Sequence, residues 1–386
     1  MISPVSFPVG IRIVFVFHGS ELGGAERQGL LLAAGLKERY GAEVSVIGLA
    51  THEPGRVARE CKELGISWQA VPFYWPDGLS NRVRSLFGLT HALKKMRPAI
   101  ILPYTYLPNV VCSLVWRFAG ARLCVWNQRD EGRYLDTGRW HRLAVRLTSA
   151  LVSNSAIGKE YLASRYGLPH EKITEIPNGV VLAPPLLDRN GWRKKLEVGA
   201  DCFLVCMVAN FHSYKDHETL LKSWHLVLKT IPSRAGIPVL CLAGRDDGTE
   251  SVLKDLAKAL GIESYVRFPG AVDDISGLFS AVDLCVHSSK AEGVPNAVLE
   301  AMCSGLPVVG TDIPGVREAV GEHGLSFLAP VGDQTKLAEL IRKVMVDHAT
   351  RAHLGTMNRE HVVQNFSAGK MCESMMTILT RELNRA

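Results

Sequence analysis

No apolar run of about 18 or more residues occurs in the sequence, so a membrane-spanning helix is not expected. Residues 1–10 lack a basic start followed by an apolar stretch, and a secretory signal peptide is not expected either. Nine cysteines are present, at 61, 112, 124, 202, 206, 241, 285, 303 and 372, without a C-x-x-C pair or a Cys/His spacing suited to zinc. Several sit inside apolar runs that read as buried strands, which suits a reducing compartment. The expectation is a cytoplasmic protein, either free or peripheral on the cytoplasmic membrane face. Charge blocks and low-complexity repeats are missing too, which argues against extensive disorder. The net charge is only +6, from 44 Lys plus Arg against 38 Asp plus Glu, and no nucleic-acid partner is expected at that density. No G-x-G-x-x-G follows a strand, which argues against a dinucleotide-dependent oxidoreductase.

What is present is regular alternation. At 386 residues and 47% hydrophobic content the chain is too long for one ordinary core and predicts two globular domains. Residues 11–17, IRIVFVF, read as a strand buried in a parallel sheet and lead into His18-Gly-Ser-Glu-Leu-Gly-Gly-Ala-Glu26. A helix over 25–39 stops at Gly41 and a strand follows at 44–49, completing a βαβ unit. Helix and strand pairs continue at 83–96 with 100–102, 110–118 with 122–126, and 141–148 with 150–152. Residues 172–176 read as the last strand of this half, and Ala183-Pro-Pro185 breaks regular structure and marks a domain boundary. After a short helix at 191–196 the alternation restarts with strand 203–209, helix 218–229 and strand 239–243. Later strands are expected at 266–268, 284–287, 308–310 and 326–328. The fold class is therefore α/β, with doubly wound domains over 1–183 and 184–365 and a final helix in 366–386 returning to the first. Ligands of such sheets bind at the carboxyl ends of the strands, which points to a cleft between the domains.

The basic excess is local. Arg129, Arg133, Arg139, Arg142 and Arg146 are interleaved with Tyr134, Trp140 and Leu143, and a second run extends from Arg82 to Arg97. Both read as solvated helix faces, or as surfaces for anionic lipid headgroups or a phosphate-bearing acceptor.

The densest constellation is Ser288-Ser-Lys-Ala-Glu-Gly-Val-Pro-Asn-Ala-Val-Leu-Glu300-Ala-Met-Cys-Ser-Gly305. It follows an apolar strand, with Gly293 in the loop and Pro295 at the expected first helical position, where the N–H that proline lacks has no partner anyway. The amides of Asn296, Ala297, Val298 and Leu299 then point out of the helix start and, with the helix dipole, can hold a diphosphate. Glu292 before the helix and Glu300 in its second turn flank that position. One can reach sugar hydroxyls and the other ribose hydroxyls.

This segment resembles the signature of the retaining glycosyltransferases of the GT-B fold, family four: a Glu, seven residues, and a second Glu followed by Ala-Met and a small-residue turn. Val208-Ala-Asn-Phe-His-Ser-Tyr-Lys-Asp216 resembles the family's loop after the first donor-domain strand, where the resemblance implies that Lys215 contacts the donor phosphates. Gly23-Gly-Ala-Glu26 resembles its glycine loop, and Phe268-Pro-Gly270 the segment whose backbone meets the nucleotide base. The likeness covers roughly residues 11–335. It implies two Rossmann-like domains facing an interdomain cleft. The implied activity is metal-independent, hexosyltransferase-like transfer from a UDP- or GDP-sugar to a carbohydrate or lipid-linked acceptor in polysaccharide, lipopolysaccharide or glycolipid biosynthesis. The nucleotide sugar is then a co-substrate and no other cofactor is expected. Lys215 and Glu292 are the implied catalytic residues. Gly24, Phe268, Gly293, Val294, Pro295, Asn296, Ala297, Val298 and Glu300 are the implied donor-binding residues beside them. No Asp-x-Asp triplet occurs, and no metal site is expected; Asp274 reads as a helix-start residue.

Two positions depart from the family pattern. Asn210 stands where the family carries an Arg, with His212 or Arg245 as possible substitutes, and Asn127 or Gln128 stands where many members carry a first-domain His. His18 is the nearest other histidine and reads as a core or turn residue. These departures motivate an alternative, a non-catalytic nucleotide-sugar-binding protein.

Overall fold

The structure is a computed structural model that describes residues 8–49, 52–75, 78–132, 138–231 and 237–385. It divides into two compact units, one of Met1–Gly179 with Ser367–Ala386 and one of Val180–Phe366. The first unit contains strands β1 (Arg12–Phe17), β2 (Glu43–Gly48), β3 (Ser67–Ala70), β4 (Ile100–Pro103), β5 (Leu123–Gln128), β6 (Ala150–Ser153) and β7 (Ile173–Glu175). Its helices are α1 (Gly24–Tyr40), α2 (Arg56–Glu63), α3 (Leu79–Met96), α4 (Tyr106–Val115), α5 (Arg139–Leu147) and α6 (Ala156–Tyr166). The second unit contains β8 (Leu204–Val208), β9 (Val239–Ala243), β10 (Val266–Gly270), β11 (Leu284–His287), β12 (Val308–Thr311) and β13 (Leu328–Ala329). Its helices are α7 (Arg189–Lys195), α8 (His217–Thr230), α9 (Glu250–Ala259), α10 (Ile275–Ala281), α11 (Asn296–Cys303), α12 (Pro314–Gly324), α13 (Gln334–Val346) and α14 (His348–Asn365).

The strand sequences explain the layering. In β1, Ile13, Phe15 and Phe17 enter one apolar cluster while Val14 and Val16 enter the cluster on the opposite face. β8 does the same, with Leu204 and Cys206 on one side and Val205 and Met207 on the other. A strand buried on both faces reads as a continuous apolar run, which is what a parallel sheet covered by helices requires. The sheets run β3-β2-β1-β4-β5-β6-β7 and β10-β9-β8-β11-β12-β13, and the ladders are parallel. The progression reverses between β1 and β4 and again between β8 and β11, and a doubly wound sheet opens a crevice at the carboxyl ends beside such a point.

The last helix, α15 (Ala368–Leu383), belongs to the first unit. Met371, Cys372, Met375, Ile378 and Leu379 are buried in the same cluster as Leu32 and Leu36 of α1. Gly35 permits the close approach, since a Cβ there would lie 2.3 Å from Cys372 Sγ. Each such buried side chain contributes about 1.5–3 kcal/mol, so α15 is part of that core.

The structure adds elements that the sequence pattern passes over. α2 and α9 bury only Val57 with Cys61 and Leu253 with Ala257, too few residues to mark a helix in so polar a sequence; β3 and α6 are added as well. Pro295 is the residue before α11, with extended backbone (φ −76°, ψ 120°), so the helix starts one residue later than expected. Arg129 is not on a solvated helix face: it follows β5, and its guanidinium carbon lies 5.0 Å from the centre of the Tyr104 ring. Arg133 and Tyr134 lie outside the described residues. All nine cysteines are free thiols. No helix among the described residues is long and apolar enough to cross a membrane.

Candidate functional site

β8 and β11 pair side by side, Val205 opposite Leu284 and Cys206 opposite Cys285, so the loops leaving their carboxyl ends are neighbours. The first loop passes through a tight turn, Ser213–Lys215, and enters α8 through Asp216 in left-handed conformation (φ 52°). The second, residues 288–295, enters α11. They are tied together by Lys290 N donating to the Tyr214 carbonyl at 2.8 Å, Ser289 Oγ to the same carbonyl at 3.1 Å, and Ser288 Oγ to the Asp216 carbonyl at 3.1 Å. From β12, Thr311 Oγ1 accepts from Ser289 N at 2.9 Å and donates to Ser289 O at 2.7 Å. The start of α12 presses on the same loop, where a Cβ on Gly315 would stand 1.9 Å from the Gly293 carbonyl oxygen.

This frame brings Lys215 and Glu292, 77 positions apart in the chain, into a direct ion pair between Lys215 Nζ and Glu292 Oε1. Their side chains are only 14% and 11% exposed. Glu292 Oε1 also accepts from Ser289 Oγ at 3.2 Å and lies 3.2 Å from His287 Nε2. Burial pushes the Glu292 carboxyl up, but the Lys215 ammonium and the His287 ring together outweigh it and bring it to about 2. Glu292 is thus a carboxylate at neutral pH, and the pair is held at the topological switch point of the second sheet.

α11 begins beside this pair. The amides of Asn296, Ala297 and Val298 precede its first backbone bond, from Leu299 N to the Pro295 carbonyl at 3.3 Å. Gly293, Val294 and Pro295 form the buried turn that leads into them, and Glu300 sits half-buried in the second turn. Helix-start amides with a fixed ammonium can bind an anion and stabilise negative charge that develops on it. Phe268, in β10, packs 5.9 Å from the Phe211 ring, which follows β8. Lys215, Glu292, Gly293, Val294, Pro295, Asn296, Ala297, Val298, Glu300 and Phe268 therefore share the second unit. Gly24 belongs to the first unit, where it opens α1 after Gly23. Among the described residues no group of three or more His, Cys, Asp or Glu is placed to hold a metal ion.

The departures also have places. Asn210 donates to Asp247 Oδ2 at 3.0 Å, and Arg245 donates to Asp247 Oδ1 at 2.7 Å, so Asp247 links Asn210 to a neighbouring cation. His212 is exposed on the same loop. Asn127 is buried in β5, where its Nδ2 donates to the Pro103 and Val125 carbonyls at 3.1 and 2.9 Å. Gln128 is buried as well and donates to Asp130 Oδ1 at 2.7 Å. His18 lies in the turn after β1, where partial desolvation of its ring lowers its pKa.

Sequence reasoning missed His287, Ser289 and His217. The only signal for His287 was a polar residue closing an apolar strand. His217 opens α8 with its ring buried. Burial first, then His287 and Lys215, push its pKa down to about 3 against the pull of the Ala209 carbonyl, so the ring is neutral.

Comparison with known proteins agrees with this architecture. Residues 188–361 match the family described as Glycosyl transferases group 1, and residues 22–183 match Glycosyltransferase Family 4. Over 190 residues the chain is 31% identical to the lipopolysaccharide core biosynthesis glycosyltransferase LpsE of Rhizobium meliloti, an alignment covering 48% of this chain and 52% of that protein. Over 237 residues it is 27% identical to the D-inositol 3-phosphate glycosyltransferase of Saccharomonospora viridis, covering 59% of this chain and 54% of that one. The chain thus spans about half the length of the curated relatives it matches. The crystal structure of Anabaena HepE in complex with UDP and glucose superposes with a TM-score of 0.81 over 96% of this chain and all of that one, at 22% identity, and shows the shared fold. The two family matches lie on the two doubly wound units, and the chain belongs to the group 1, family 4 glycosyltransferases of the GT-B fold.

Proposed function

We propose that the protein is a retaining, metal-independent glycosyltransferase that moves a hexose-like sugar from a nucleoside diphosphate sugar to a carbohydrate or lipid-linked acceptor in glycan biosynthesis. The observation that carries this reading is the Lys215–Glu292 pair at the start of α11, where β8 and β11 deliver their loops. In this reading the α11 amides and Lys215 hold the diphosphate, Glu300 the ribose, Glu292 the sugar hydroxyls, and the backbone near Phe268 the base. The bond from the anomeric carbon to the diphosphate breaks, and the acceptor oxygen bonds on the same face. Its proton passes to the departing phosphate, so no side-chain base is required. Lys215 and the amides offset the charge that grows on that phosphate, and they make contact only where the charge develops. UDP in HepE supports a UDP-sugar as the first donor to try.

A peripheral membrane position has support in α3. Leu79, Val83 and Phe87 form an outward row at 66%, 53% and 74% exposure, beside Arg82, Arg84, Lys94 and Lys95 and with no acidic residue in the helix. An apolar row flanked by cations suits an anionic lipid surface.

One observation favours a second reading, a nucleotide-sugar-binding protein without turnover: Asp247 places a carboxylate against Asn210, where the family carries a cation. A thermal-shift panel of UDP- and GDP-sugars, followed by transfer assays with the best stabiliser, separates the two. Stabilisation with transfer supports the enzyme, stabilisation without transfer or donor hydrolysis supports the binding protein, and no stabilisation by any nucleotide sugar refutes both.

A further inference from the structure

The Glu292 carboxylate is held through one oxygen only. Lys215 Nζ, Ser289 Oγ at 3.2 Å and His287 Nε2 at 3.2 Å all meet Oε1. Oε2 has no partner among the described residues and is open to solvent. A carboxylate accepts hydrogen bonds on both oxygens, so one side of Glu292 is anchored and the other is left for a ligand.

The three anchors differ in what else they serve. Ser289 has a single hydroxyl proton, and three acceptors surround it: the Tyr214 carbonyl at 3.1 Å, the Ala291 carbonyl at 3.3 Å and Glu292 Oε1. Lys215 is the group that the proposed reading assigns to the diphosphate, and an ammonium drawn to that anion is lost to the carboxylate in whole or in part. His287 has neither competition. It closes β11, is 2% exposed, and follows Cys285 by two residues, so its ring shares the strand face whose Cys285 joins the cluster of Val294 and Val298. Its backbone is fixed opposite Gly310 of β12, and Glu292 Oε1 is the acceptor of its Nε2. A strand residue buried in this way holds its ring in one place, which a loop serine or a long lysine side chain does not.

We propose that His287 is a positioning residue for the donor sugar. Its Nε2–H keeps Glu292 Oε1 in place while Lys215 turns to the diphosphate, and Oε2 then faces the sugar hydroxyls. A bare nucleoside diphosphate takes Lys215 and leaves Oε2 to water, whereas a nucleotide sugar brings hydroxyl donors to it. A site built around such hydrogen bonds discriminates against the ligand that lacks them. His287 therefore acts on the preference for the sugar-bearing nucleotide over the bare one. This role rests on the donor site proposed above.

Calorimetry on the full chain compares wild type, His287→Leu and His287→Gln, each with UDP and UDP-glucose and with GDP and GDP-mannose. Leucine removes the donor at similar volume, and glutamine keeps an Nε2–H at similar reach. Affinity for the nucleotide sugar should be about tenfold or more weaker in His287→Leu, and affinity for the matching diphosphate within about twofold of wild type. His287→Gln should recover most of the loss. Equal weakening of both ligands, weakening of neither, or a glutamine variant no better than leucine overturns the proposal. Nitrogen NMR of the histidine rings, with the His287 signal assigned by its loss in His287→Gln, needs no destabilising variant: the proton belongs on Nε2, and a ring protonated on Nδ1 alone also overturns the proposal. Wild type that binds none of the four nucleotides fails the donor reading and the proposal together, whereas binding without the split fails the proposal alone.

Discussion

Replacing Lys215 by methionine keeps the length of the side chain and removes its charge. Among the described residues Glu292 would then retain His287 and Ser289 as partners, with its side chain 11% exposed. Burial is the largest influence on that carboxyl and acts upward, so without the ammonium its pKa should climb above the present value of about 2, with His287 alone still opposing the rise. Breaking a buried ion pair from one side costs about 3–5 kcal/mol, because the surviving charge stays desolvated. At roughly 2–4 °C per kcal/mol for a unit of this size, the second unit should melt on the order of 10 °C lower at pH 7.5. The double variant Lys215→Met with Glu292→Gln removes both charges and should recover most of that loss, which separates ion-pair energy from lost packing. Thermal and denaturant unfolding followed by circular dichroism measure all three proteins. A single variant within about 1 kcal/mol of wild type, or a double variant no better than the single, would refute the reasoning.

Acid should act in two stages. His217 is held at about 3 against its ordinary 6.5, so its contribution is complete above pH 6.5 and drains as pH falls toward 3; Glu292, at about 2 against 4.5, adds a second loss below pH 4.5. Stability should fall by about 1.4 kcal/mol per pH unit between 6.5 and 4.5, and His217→Gln should flatten that window in a pH series of unfolding curves. An unchanged slope in His217→Gln would count against its burial as a neutral ring. Gly315→Ala would drive a methyl into the Gly293 carbonyl 1.9 Å away, and should weaken UDP binding measured by calorimetry while costing about 1–3 kcal/mol. Gly88→Ala in α3, where the added methyl meets nothing within 4 Å, should stabilise by about 0.5–1 kcal/mol and serves as the control. Val83→Ser with Phe87→Ser should reduce co-sedimentation with phosphatidylglycerol vesicles, and wild type should stay in solution with neutral phosphatidylcholine vesicles.

The local structure around α11 was legible because its parts are contiguous: an apolar strand, a glycine turn, a proline and a helix start lie within residues 284–303. Pro295 was misplaced by one residue, since the sequence marks a helix start but not which flank of the first turn the ring occupies. Lys215 could be named only through resemblance, because the pairing of β8 with β11 that carries it to Glu292 leaves no local trace. His287 and His217 were hidden for a related reason. A histidine ending an apolar strand or opening a helix looks the same whether its ring is buried against a lysine or facing water. Arg129 shows the limit most clearly, since charge density along the chain suggested a solvated basic face, while the structure buries its guanidinium on Tyr104. In the fold, long apolar strands were readable, whereas α2 and α9, each burying two residues one turn apart, were not.

The most direct test of the account is the anomeric configuration and rate of product formed from the nucleotide sugar that best stabilises the protein, followed by NMR. The account predicts that wild type yields product with the donor's configuration retained, and that Lys215→Met and Glu292→Gln each lower turnover by about 100-fold or more. Product of inverted configuration, or undiminished turnover in both variants, would contradict it.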